Sequence, residues 1–90
     1  MARVQLTREA TRHFEALPHD LQEPVLNALT DLEVDPEETG KKLLGRLKGL
    51  WSARVGSYRI IYSIEGPARS RTVIVRAIRH RAHAYQQGRR

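Results

Sequence analysis

The chain has 90 residues, with 16 Lys and Arg against 10 Asp and Glu, a formal charge of +6, and no cysteine. That length predicts one domain with a small core, and the lack of cysteine excludes a disulfide framework or a thiolate metal site. No stretch is long and apolar enough to span a membrane, and MARVQLTREA lacks the apolar run of a signal peptide, so a cytoplasmic location is expected.

The charge is segregated. Residues 1–40 carry three arginines against nine acids, a net −6, whereas residues 41–90 carry thirteen Lys and Arg against Glu65 alone, a net +12. A basic half of that strength points to an anionic partner.

Taken in order, Arg3 to Leu6 reads as a short strand with Val4 and Leu6 on one side. Thr7 is a good N-cap, Glu9 sits in the first helical turn, and Ala10, Phe14 and Leu17 recur at helical spacing until Pro18. Asp20 and Glu23 have capping-box spacing for a second helix, with Pro24 at the edge of its first turn. Leu21, Val25, Ala28, Leu29 and Leu32 form its apolar stripe, and Asp35-Pro36 stops it. The short link predicts an antiparallel helical hairpin. Residues 35–49 read as a loop with a single turn at Lys41 to Leu44, pinned to the core by Leu43, Leu44 and Leu47. Its glycines lack the spacing of a phosphate-binding loop.

The most informative stretch is residues 50–65, LWSARVGSYRIIYSIE. Gly56-Ser57 fits a two-residue type II′ turn between two strands, which puts Arg54 opposite Arg59 on the face away from Trp51, Ala53 and Ile60. Like charges directly opposite are destabilising, so a hairpin that holds two guanidiniums together suggests an anion between them. A phosphodiester suits, because Arg recognises phosphate bidentately. Thr72 to Arg79 is the most β-prone run in the chain. A short connection pairs it antiparallel with Tyr58–Glu65 and returns Arg79, His80 and Arg81 toward Arg54 and Arg59. His83 and Tyr85 follow. Four arginines, two histidines and a tyrosine are thereby expected on the helix-free face. The predicted class is α+β: an N-terminal strand at a sheet edge and a helical hairpin packed on one face of a small antiparallel sheet, with a short C-terminal tail or helix.

Those residue types suit RNA cleavage by the substrate's own 2′-OH. Something must take that proton, stabilise the added phosphate charge and protonate the leaving 5′ oxygen. Arg54 and Arg59 suit charge stabilisation. His80 and His83 titrate near neutrality, and either fits the acid or base, with His83 favoured and His80 supporting the strand end. Tyr85 can stack on a splayed base. No cofactor or metal site is expected.

LKGLWSARVGSYRIIYSIE followed by VIVRAIRHRAHAY resembles the RelE/ParE superfamily of bacterial and archaeal toxins, most strongly over residues 43–85. The resemblance implies a RelE-like fold and a toxin neutralised by a cognate RelB-like antitoxin in a heteromeric complex, the free toxin being a monomer. RelE-like members cleave mRNA in the ribosomal A site, so ribosome and mRNA are the implied partners. ParE-like members inhibit DNA gyrase without nuclease activity, which is the alternative. The resemblance further implies that Arg59 stabilises phosphate, that Arg81 or Arg79 is the C-terminal catalytic arginine, and that Tyr85 stacks on a base. Arg54 is offered by the strand before the turn, where the family's type member has two lysines; Lys48 lies farther upstream. Lys48, Arg79 and His80 are the expected RNA-binding residues. The identity of the general base stays open.

Overall fold

The Gly56-Ser57 turn sets the register of the sheet. Gly56 has φ +59° and no non-glycine residue among those described has a positive φ, the pattern of a type II′ turn. Strands β3 (Trp51–Val55) and β4 (Tyr58–Glu65) leave it paired Val55 to Tyr58 and Arg54 to Arg59. The computed structural model describes residues 1–83. Its remaining strands are β1 (Arg3–Leu6), β2 (Lys41–Lys42) and β5 (Thr72–His80), and its helices are α1 (Arg8–Glu15), α2 (His19–Val34) and the single-turn α3 (Pro36–Thr39). None is long and apolar enough to cross a membrane.

The sheet has five strands in the order β1-β5-β4-β3-β2. β3, β4 and β5 form the expected antiparallel meander, and β1 joins at the edge, parallel to β5. A register shift between Ile61 and Tyr62 leaves Arg76 as the extra residue of β5. Helices cover one face. α1 lies on β5 and β1, while α2 touches both β1 and β3 and so spans the sheet. The core fills the space between, with Ala10, Leu17, Val25 and Leu32 meeting Ala53, Ile60, Tyr62, Val73, Val75 and Ile78. Alternation in β4 directs Tyr58, Ile60, Tyr62 and Ile64 to this side, as the pattern required.

Thr7 caps α1, its hydroxyl accepting from the Ala10 N–H at 3.1 Å. The second helix departs from expectation. It begins at His19 behind Pro18, so Asp20 lies in the first turn and makes no cap, and Pro24 falls inside the helix. The Asp20 carbonyl then loses its usual partner, but Asp20 is exposed and water can replace it. The 35–49 segment is also more ordered than read. The side chain of Asp35 caps α3, Lys41–Lys42 pairs with Ser52 and Trp51, and a 3-10 turn spans Gly45–Leu47. The expected turn at Lys41 to Leu44 is therefore absent. Leu43 and Leu50 anchor the segment by packing on Ile61 and Ala77 on the face without helices. Leu44, expected to help pin it, is 82% exposed.

Close approach explains Gly40. A Cβ there would collide with the Tyr62 hydroxyl and lie 2.7 Å from the Ser52 carbonyl. The same hydroxyl donates to the Pro36 carbonyl at 2.7 Å, tying the helical segment to the centre of the sheet. Burial pushes the Tyr62 phenol up to about 12.

Candidate active site

Strand pairing builds the site on the face without helices. Arg54 of β3 pairs with Arg59 of β4, which pairs with Arg79 of β5. Directly opposed residues share a face, and neighbouring strands run about 4.8 Å apart. Three guanidinium-bearing residues thus form one row across the sheet beside the Gly56-Ser57 turn. Arg59 and Arg79 are half-buried, and the Nε of each is buried with no hydrogen-bond partner among the described residues. A charged donor in that state is costly unless a ligand answers it.

Arg54 and Arg59 line a groove of about 320 Å³ together with Ser52, Lys41 and the Glu38–Gly40 segment. Lys41 was not singled out as a site residue by the sequence. Its placement depends on a two-residue strand, too short to leave a period in the sequence. Lys48 was singled out, but it lines a different groove, with Leu43, Leu44, Leu50 and Trp51.

The C-terminal arginines separate. Arg79 stands in the row, whereas Arg81 lies one residue past the strand in a 3-10 turn, exposed, with its N–H donating to the Ser57 carbonyl at 2.7 Å. His80 does not join the row. Successive strand residues face opposite sides, so His80 pairs with Tyr58 on the helix side and meets its ring edge-on at 5.4 Å. The expected convergence of every basic and aromatic group on one face is corrected accordingly. Its Nδ1 accepts from the Ala82 N–H at 3.2 Å, which shapes the end of the strand. Tyr85 and the side chain of His83 lie outside the described residues.

Two groups from the acidic half reach this end of the sheet. The Ile78 N–H donates to His13 Nδ1 at 3.1 Å. Glu9 Oε2 lies 3.8 Å from His13 Nε2 and 3.6 Å from Arg79 Nη2. Burial, reinforced by the Arg79 charge, holds the His13 pKa below its ordinary value despite Glu9. The sequence offered only the first-turn position of Glu9 and an i, i+4 spacing to His13. Neither showed that α1 would lie beside β5.

A small α+β fold with this strand order and a basic row on its open face is that of the RelE/ParE superfamily of toxins. The family described as "ParE toxin of type II toxin-antitoxin system, parDE" matches residues 4–85, and the chain belongs to it. The chain is 35% identical to Toxin RelG of Mycobacterium tuberculosis over 85 residues, covering 93% of this chain and 95% of that protein. In structure it resembles the toxin of the RelBE2 toxin-antitoxin complex from Mycobacterium tuberculosis, with a TM-score of 0.78 and 33% identity over 87% of this chain and 95% of that one. It also resembles a chain of the archaeal RelE-RelB complex from Pyrococcus horikoshii, with a TM-score of 0.72 and 27% identity over 92% and 98% of the two chains.

Proposed function

We propose that this toxin is a ribosome-dependent mRNA endoribonuclease, held inactive by a RelB-like antitoxin in a heteromeric complex. The observation that carries the reading is the Arg54–Arg59–Arg79 row with its two unpartnered Nε groups. In this reading the scissile phosphate lies over the row. The 2′-OH gives up its proton and attacks phosphorus, the 5′ oxygen leaves with a proton, and a cyclic phosphate remains. Arg59 and Arg79 neutralise the charge that builds on the phosphate oxygens. Fixed arginines suit that task and are poor proton carriers, so the proton transfers fall to other groups. His83 is our candidate for one of them, and Tyr85 for stacking on an adjacent base. Arg54 and Lys41 flank the groove that would receive the RNA strand. Antitoxin binding is supported by the two RelB-containing complexes whose toxins this chain resembles. A basic toxin surface also favours an acidic or amphipathic partner.

Primer extension on a reporter mRNA in a purified translation system tests the reading. Cuts within codons are expected with the wild type and ribosomes, and none without ribosomes. Loss of cutting in Arg59→Ala gives that residue its role. Because the matching family is described as that of ParE, gyrase inhibition is the second reading. Uncut mRNA together with blocked DNA supercoiling would establish it instead.

A further inference from the structure

We propose that Glu9 and His13, both on α1, are positioning residues for Arg79: a clasp from helix to strand that holds its guanidinium in the row beside Arg59. This rests on the reading that the row binds the scissile phosphate.

The clasp is a closed ring. Ile78 N–H donates to His13 Nδ1, so the neutral imidazole carries its proton on Nε2. That edge faces Glu9 Oε2 at 3.8 Å, and the same oxygen lies 3.6 Å from Arg79 Nη2. Ile78 and Arg79 are consecutive, so one helical turn grips two adjacent strand residues, one by its backbone and the other by its side chain. The distances to Glu9 are those of an electrostatic guide. The Arg79 Nε stays unpartnered among the described residues and available to an anion.

Docking of α1 does not need the clasp. Thr7 already joins β5, with its N–H donating to the Val75 carbonyl at 3.0 Å and its hydroxyl to the Arg76 carbonyl at 3.4 Å. Ala10 and Leu17 bury the helix face. Glu9, by contrast, has a side chain 60% exposed and approaches both Arg79 and His13. Its cost to the fold is small and its effect falls on one guanidinium.

The ring also requires neutral His13. Protonation would turn Nδ1 into a donor facing the Ile78 donor. The groups around it are Glu9 and Arg12 on α1 and Arg79 on β5, with Tyr58 and His80 lining the same cavity of about 360 Å³. Burial and Arg79 oppose protonation, so the clasp is set at neutral pH.

Two measurements on the full chain test this. The first is nitrogen-15 NMR of the arginine Nε–H groups. Wild type is expected to show a distinct Arg79 resonance. Glu9→Ala and His13→Ala should move it toward the position of a free arginine, while backbone amides of β5 and the Arg59 resonance stay in place. The second is cleavage of ribosome-bound reporter mRNA. Each variant should lower the rate at saturating ribosomes about tenfold, as misplacement of a charge-stabilising group does, with half-saturation nearly unchanged. His13→Asn, which can still accept from Ile78, should recover part of the rate. An unchanged Arg79 resonance in Glu9→Ala overturns the clasp, whether or not mRNA is cut. So does a change that spreads through the β5 amides, which would mark Glu9 as structural. Wild type that shows the Arg79 effect but never cuts mRNA refutes the nuclease reading and leaves the clasp standing as a property of the fold.

Discussion

Arg76 and Arg79 lie three residues apart on one strand, yet their surroundings differ. Arg76 donates from Nε to Ser63 Oγ at 3.2 Å, and its Nη2 lies 3.3 Å from Glu65 Oε2. Arg79 and its neighbour Arg59 keep buried Nε groups without partners among the described residues. At the Arg76 end of the sheet, polar groups are answered from within. Tyr62 follows the same rule, with its hydroxyl donating to Pro36. At the turn end they are not. An unanswered buried donor costs about 1–3 kcal/mol, and like charges side by side add to that. Local cost of this kind gathers where a ligand is to be bound, and natural sites trade stability for such function. The difference therefore separates arginines that hold the fold from arginines that await an anion.

Removing the turn-end arginines gives the largest expected effect. Arg59→Met and Arg79→Met should each lower mRNA cleavage by about 100-fold or more, the scale of a lost charge-stabilising donor. Thermal stability should stay level or rise, because each change deletes an unpartnered buried donor and a like-charge neighbour. Melting curves alongside cleavage assays check both halves. A marked fall in Tm for both variants would break the comparison, since it would make these arginines structural.

Much of this contrast was legible before folding. The Gly-Ser turn fixed Arg54 opposite Arg59, and the period of two in β4 separated its core residues from the opposite face. The antiparallel return of β5 brought Arg79 to Arg59. What escaped was whatever depended on counting past a strand end or on tertiary placement. A one-residue step moves a side chain to the other face, so His80 could not be assigned until the register was known. Lys41 entered through a two-residue strand with no period of its own. His13 looked isolated because its partner, the Ile78 N–H, is 65 positions away. The overread capping box at Asp20 has a different cause. Pro18 at the N-cap starts α2 before Asp20 can cap it.

Tyr62 gives the next effect and sharpens the satisfied side of the comparison. Its phenol is raised to about 12 in the folded chain, against an ordinary value near 10.0. A raised pKa means the folded state holds this proton more tightly than the unfolded state. The associated stability is therefore present below pH 10 and is lost as pH climbs toward 12. Two pH units of difference correspond to roughly 2–3 kcal/mol at the top of that window. Denaturant midpoints measured between pH 9 and 12 should fall, and Tyr62→Phe should flatten that fall. At neutral pH the same variant should lose about 1–2 kcal/mol, because the Pro36 carbonyl keeps its burial without its donor. A midpoint independent of alkaline pH in the wild type would remove Tyr62 from the group of answered buried groups.

Arg76 should show the smallest effect, and its smallness is the point. Its side chain is 42% exposed and that of Glu65 is 52% exposed, so water and salt screen the pair. Exposed ion pairs contribute about 0–1 kcal/mol. Arg76→Ala should therefore lower stability by less than about 1 kcal/mol, and by less still at high salt. Cleavage should be unaffected, since Arg76 reaches Ser63 and Glu65 rather than the row at the turn. The two arginine classes then respond in opposite senses. Arg76 loses a little stability and no activity, while Arg59 and Arg79 lose activity without loss of stability. If Arg76→Ala cut mRNA as poorly as Arg79→Met, net charge rather than placement would govern RNA binding. Steeper salt dependence of cleavage, in proportion to the charges removed, would then follow for any surface arginine.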